Sequence, residues 1–185
     1  MTKPPVIPAS FRHPPMTRIF QTTLTSLDDC ELFAAKLVPC LQVPLTIGLS
    51  GTLGAGKTQW TRFLVHSLVG TEAEVSSPTF VLVKEYETTP KIYHLDVYRV
   101  ADEDELLELG IEEFFDAPAL TIVEWADRFL SLMPKNWIHL QWSLDEADPN
   151  RRKVAVDAVG KRATEICRAW ERSLRSEHSS IAIEE

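Results

Sequence analysis

The stretch "SGTLGAGKTQW", Ser50 to Trp60, holds three of the chain's seven glycines within six residues and ends them on a Lys-Thr pair. Gly51, Gly56, Lys57 and Thr58 satisfy the pattern G-x-x-x-x-G-K-[ST], with Gly54 as the third glycine. Average residue usage lets these four specified positions match by chance in roughly one percent of chains this long. Glycine has no Cβ, so such a loop can adopt positive φ and turn its N–H groups inward as an anion nest. A helix beginning at the loop's end adds unpaired N–H groups and a positive dipole end. In that geometry Lys57 reaches the β- and γ-phosphates of a nucleotide and the Thr58 hydroxyl ligates magnesium. Leu53, Gly54, Ala55, Gly56 and Gln59 complete the expected nucleotide-binding set. A glycine-rich turn with no ligand is the competing reading. The flanks decide against it: "PLTIGLS" before the loop reads as a buried strand. "KTQWTRFLVHSLVG" after it spaces Trp60, Phe63, Leu64 and Leu68 as a helix that Gly70 stops.

A phosphate loop alone does not hydrolyse anything. Magnesium needs further acidic support, and a water must be positioned for attack. Two apolar segments end in acids: "IYHLDVYR" offers Asp96 and "LTIVEW" offers Glu124. Ligands of open α/β sheets gather outside the carboxyl ends of strands. Glu124 therefore suits the magnesium-linked position with Thr58, against the plain alternative of a solvated strand-end carboxylate. Asp96 shares a strand face with His94 and Tyr98, where it could equally be a hydrogen-bonded structural acid. His94 and Asp96 make only two ligands, too few for a metal centre of their own. In "SSPTF", Ser77 precedes proline and Thr79 offers a loop hydroxyl of the sort that responds to a γ-phosphate, although Ser-Pro-Thr is also ordinary turn chemistry. Trp125, taken alone, reads as core. The acidic run from Asp102 to Glu108 reads as a solvated helix face. No Asn-Lys-x-Asp occurs, which favours ATP over GTP.

The rest of the chain suits an α/β fold. "TRIFQTTL" reads as a strand, and Ser26 caps a helix over "LDDCELFAAKLV" that Pro39 ends. Leu27, Leu32, Phe33, Ala35 and Leu37 form its apolar side. "FVLVKEYE" and "KIYHLDVYRV" alternate as a hairpin, "DEDELLELGIEEFF" breaks at Gly110, and "WIHLQWSL" pairs with "RKVAVDAV". "ATEICRAWERSLR" closes the chain as a helix. We expect a proline-rich, poorly ordered arm over residues 1–16, one domain over 17–175 and a polar tail over 176–185. Across 185 residues, 19 Lys and Arg stand against 27 Asp and Glu, a formal charge of −8. That balance disfavours an unaided grip on nucleic acid. Three cysteines without C-x-x-C spacing, and no secretory leader or membrane-length apolar run, point to a cytoplasmic protein with no membrane role.

In order and spacing, "GTLGAGKTQWTR", "VSSPTFVLVKEYE", "IYHLDVYRV", "ELLELGIEEFF" and "LTIVEWADR" resemble the bacterial TsaE (YjeE) family of small P-loop ATPases. The resemblance implies a mixed sheet of P-loop NTPase type flanked by helices, with antiparallel strand additions. It implies ATP and Mg2+ as ligands, with Lys57 and Thr58 at phosphate and metal, Glu124 as the second metal-linked acid, and Thr79 in a switch-like loop. Asp96 and Trp125 become functionally sensitive positions, and the expected catalytic set is Lys57, Thr79, Asp96 and Glu124. It further implies work with the TsaD and TsaB proteins, which place threonylcarbamoyl on the adenosine beside the anticodon. The ATPase then supports turnover of that transferase and meets tRNA only through the complex. One departure stands out, since "SLDDC" puts Cys30 where family members carry a threonine that approaches the nucleotide. A small-molecule P-loop kinase is the alternative function, although Arg62, Arg99 and Arg128 are scattered without a lid insertion. A nucleotide-dependent binding module without turnover is the third.

Overall fold

The computed structural model describes residues 15–175 and 181–184. The arm expected over 1–16 lies outside the described residues, apart from Pro15 and Met16. The chain runs β1 (Thr17–Leu24), α1 (Leu27–Leu37), β2 (Leu45–Gly51), α2 (Lys57–Val69), β3 (Val83–Tyr86) and β4 (Ile92–Asp96). It continues α3 (Glu103–Glu108), α4 (Ile111–Asp116), β5 (Leu120–Glu124), β6 (Trp137–Leu144), β7 (Arg152–Val159), α5 (Lys161–Leu174) and β8 (Ile183–Glu184). One eight-stranded sheet takes the order β3-β4-β5-β2-β6-β7-β1-β8. The four strands β4, β5, β2 and β6 are parallel, and antiparallel pairs extend both ends. The expected mixed sheet with antiparallel additions is therefore what forms.

Parallel strands buried on both faces need apolar residues throughout. In β2, Leu45, Ile47 and Leu49 face one layer, with α1, α2 and α5 packed on that side through Phe33, Trp60, Leu64 and Trp170. The second layer, from Leu95, Val123, Phe129 and Trp137, lies under α3, α4 and the 3-10 segment Ala126–Leu132. Because all four parallel strands point the same way, the P-loop after β2 and the ends of β4 and β5 share one edge.

Three local readings need correction. The buried stripe of α1 is Cys30, Phe33, Ala34 and Leu37, while Leu27 is exposed; the 3.6-residue period runs through the small residues instead. In "FVLVKEYE" the strand begins only at Val83. Val81 and Leu82 donate their N–H groups to the Pro78 carbonyl at 2.9 and 2.7 Å, so that backbone belongs to a turn and leaves Phe80 and Val81 exposed. The segment read as a polar tail ends in β8, which pairs with β1 and buries Ile181.

Gly48 at the centre of β2 shows how tightly the second layer closes. A Cβ there would lie 2.5 Å from Cζ3 of Trp137 and 2.8 Å from Cβ of Ala126. Gly48→Ala is expected to lose about 1–3 kcal/mol through overpacking, measured as a lower denaturant midpoint at unchanged slope.

Candidate active site

The loop between β2 and α2 takes its shape from glycines with left-handed backbone. Gly54 has φ 77° and Gly56 φ 113°. A Cβ on Gly54 would meet open space, so its requirement is conformational and not one of room. Gly56 precedes α2, and no side chain among the described residues caps that helix. The first-turn N–H groups therefore open towards the loop's concavity. Lys57 is 5% exposed and folds back on the loop, donating to the carbonyls of Gly51 at 2.7 Å and Thr52 at 3.1 Å. Its Nζ also sits 3.6 Å from the centroid of the Trp125 ring. Burial pushes the Lys57 ammonium below the ordinary lysine value, against the opposing pull of Glu124, Asp127 and Asp96.

β4 and β5 bring the two acids together. Asp96 and Glu124 are register partners across the parallel pair, and both are buried. Glu124 Oε2 accepts from Thr58 Oγ1 at 2.8 Å, and Oε1 accepts from His94 Nε2 at 2.9 Å. Asp96 Oδ2 accepts from Thr79 Oγ1 at 2.5 Å and also from Ser77 Oγ, while Oδ1 takes the Tyr98 N–H at 3.0 Å. Directly after Glu124 the chain turns sharply, with Trp125 in the left-handed region at φ 65°. A bulky residue held there is uncommon, and such backbone strain clusters at functional sites. The turn lays the indole over Lys57 and beside Tyr98, with ring centroids 4.8 Å apart. Arg128 donates to the Val97 carbonyl at 2.8 Å, pinning the exits of β4 and β5 to one another.

All four expected catalytic residues thus line one structure: Lys57, Thr79, Asp96 and Glu124 border a cavity of about 460 Å³. The other expected contacts divide. Gly54, Gly56, Thr58 and Gln59 line the same cavity. Leu53 lines it too, although its side chain is 83% exposed and can offer only backbone. Ala55 is fully buried in the core, and its N–H already serves the Thr52 carbonyl at 3.2 Å, so its place among the binding residues is the weakest. Three features escaped the sequence reading: the His94 bond to Glu124, the Ser77 bond to Asp96, and the lie of the Trp125 ring over Lys57 while it packs, partly buried, against the second core layer. Strand alternation puts His94 and Asp96 on one face, but only the β4–β5 pairing brings Glu124 to it.

The donor set suits a magnesium-bound nucleoside polyphosphate. Open amides and one ammonium face the loop, and a hydroxyl and a carboxylate meet beside it. No group of three or more His, Cys, Asp or Glu among the described residues could hold a metal alone. A hard cation here would take its remaining ligands from phosphate and water. A second cavity of about 370 Å³ adjoins the loop through Gly54, Gly56 and Gln59, with Cys30, Trp142 and Arg152 on its far walls. A larger one, about 710 Å³, opens elsewhere against Ser50 and His139. Several of its polar groups are already paired: Ser50 with His139 at 2.6 Å, Gln141 with Asp157 at 2.5 Å and Lys153 with Asp145 at 3.2 Å. Convergent unsatisfied donors distinguish the phosphate site from it.

Comparison with known proteins gives the family and the fold. A model of the family described as "Threonylcarbamoyl adenosine biosynthesis protein TsaE" matches residues 24–154. The chain belongs to the TsaE family. The TsaE protein of Bacillus subtilis (strain 168) is 38% identical over 135 residues, covering 72% of this chain and 82% of its own. That of Haemophilus influenzae (strain ATCC 51907 / DSM 11121 / KW20 / Rd) is 39% identical over 118 residues, covering 63% and 74%. The crystal structure of Bacillus subtilis YdiB shares the fold at a TM-score of 0.70, with 23% identity over 87% of this chain and 97% of that one. Cys30, the expected departure from the family pattern, lies on the wall of the cavity beside the loop.

The same thiol gives a simple chemical test of the surroundings. Burial pushes Cys30 up to about 12 and raises Cys167 still further, while Cys40 is raised but only half-buried. Less thiolate at a given pH means slower alkylation. Iodoacetamide at pH 8 is expected to label Cys40 ahead of Cys30 and Cys167, read by mass spectrometry of peptides.

Proposed function

We propose that the cavity between the P-loop and the ends of β4 and β5 binds ATP with magnesium and cleaves its terminal phosphoanhydride bond. As a TsaE-family protein, the chain binds and hydrolyses ATP and acts in the pathway that forms threonylcarbamoyladenosine in tRNA. The observation that carries the site assignment is the Thr58–Glu124 hydrogen bond under an open P-loop, with Asp96 in register beside it. In this reading the loop amides and the first turn of α2 hold the phosphate oxygens, and Lys57 leaves its carbonyls to neutralise the β- and γ-phosphates. Thr58 and Glu124 hold the cation, which when bound withdraws charge from the phosphate being cleaved. Asp96 holds Thr79 and Ser77, so the Ser77–Thr79 loop is tied to the same edge and can answer to the γ-phosphate. The cavity lined by Cys30 and Arg152 takes the base side of the nucleotide.

The pathway role sets the partners. We infer that hydrolysis supports turnover of the transferase formed by TsaD and TsaB, and does not itself transfer the threonylcarbamoyl group to the adenosine beside the anticodon. A formal charge of −8 suits a protein that reaches tRNA through partners supplying positive charge. We place this work in the cytoplasm. No helix among the described residues is long and apolar enough to cross a membrane, and Cys30, Cys40 and Cys167 are free thiols.

Two outcomes are expected. Lys57→Ala abolishes calorimetrically detectable ATP binding, whereas Glu124→Gln retains nucleotide and loses roughly 100-fold or more in hydrolysis, in line with the loss of a group acting on the transition state. ATP hydrolysis by the wild-type chain is slow alone and rises when TsaD and TsaB are added, as partner contacts order the site; an unchanged phosphate-release rate would count against partner-completed catalysis.

A further inference from the structure

Glu124 presents two carboxylate oxygens on a flexible side chain, and its usefulness depends on which way they point. Oε2 accepts the Thr58 hydroxyl at 2.8 Å. By accepting that hydrogen bond, it orients the Thr58 O–H so that the oxygen lone pairs are left to offer a cation. Oε1 faces away from Thr58 and is held by His94 Nε2 at 2.9 Å. His94 is fully buried and stands two residues before Asp96 on β4, on the same strand face, so the ladder that aligns Asp96 with Glu124 also aims the imidazole.

We propose that His94 is a positioning residue, which clamps Oε1 so that Oε2 stays with Thr58 and the hydroxyl stays turned to the metal position. The proposal rests on the reading of Glu124 as the metal-linked acid. A carboxylate can only accept, so Nε2 carries the hydrogen. Nδ1 has no partner among the described residues, which suits a bare ring nitrogen better than a buried N–H left unpaired. A histidine poised to bind a metal would face an open position with a lone pair. His94 instead spends its donor on Glu124, as an orienting group behind a ligand does. His94 is fully buried and stands opposite Ile122 in the β4–β5 ladder.

The test compares His94→Leu with His94→Gln, whose amide can restore a donor at about the same reach. Binding of a non-hydrolysable ATP analogue to the full chain is measured by calorimetry with magnesium and with EDTA, beside kcat and KM for ATP. Loss of the clamp is expected to weaken the magnesium-dependent part of binding and kcat by roughly 10-fold or more. Binding in EDTA should stay near wild type, and His94→Gln should recover most of the loss together with any fall in the unfolding midpoint that the unpaired Glu124 oxygen causes in His94→Leu. Equal losses in both variants, or none in His94→Leu, overturn the proposal. A second readout needs no variant: 15N imidazole spectra of the wild-type protein should show His94 protonated at Nε2, and protonation at Nδ1 alone overturns it. Glu124→Gln separates the two readings. If that variant keeps its full magnesium dependence, Glu124 is not metal-linked and the His94 role falls with it. If Glu124→Gln loses it while His94→Leu does not, only the His94 role falls.

Discussion

The hydrogen bond from Thr58 to Glu124 joins positions 66 residues apart, and most of the fold is arranged to make it possible. Thr58 lies in the first turn of α2, whose direction is set by two left-handed glycines. Glu124 ends a strand buried on both faces, so its height in the sheet is fixed by its ladder partners Leu49 and Asp96. The contact exists because β2 and β5 are neighbours and parallel. Had β5 paired antiparallel, its acid would lie at the opposite edge. The strand order, usually told as topology, is here a statement about where one carboxylate can reach.

The electrostatics of that edge are unbalanced. Asp96, Glu124 and Asp127 surround the single ammonium of Lys57, and the first two are almost wholly buried. Buried carboxylates survive only with hydrogen bonds to both oxygens. The chain supplies them from side-chain hydroxyls, an imidazole and a backbone N–H instead of from further cations. Negative charge is thereby kept in the site without being neutralised, which leaves a divalent cation as the natural counterweight to the acids and to a polyphosphate together. A site rich in arginine would have satisfied the same acids and needed no metal.

Much of this was legible in the residues. The strand–loop–helix context of Gly51 to Thr58 is local, and local rules are sufficient to read it. Asp96 and Glu124 could be placed at strand ends because apolar runs precede them. The misread elements depended on distant partners. "FVLVKEYE" alternates like a strand, but the Pro78 carbonyl captures two N–H groups and delays the strand to Val83. Leu27 obeys the helix period as an apolar residue, yet nothing among the described residues covers it. Trp125 is apolar and aromatic, and only the left-handed turn after Glu124 reveals that its ring lies over Lys57. Which strands neighbour one another, and hence that His94 meets Glu124, follows from the sheet as a whole.

The position of Lys57 has a consequence for how tightly the loop can hold a phosphate. Two carbonyls and an indole face solvate its charge from within the protein. An incoming phosphate has to replace those internal companions, and only the difference between the old and new surroundings is available as affinity. The loop thus favours anions whose charge outweighs what two carbonyls and one aromatic ring already offer the ammonium.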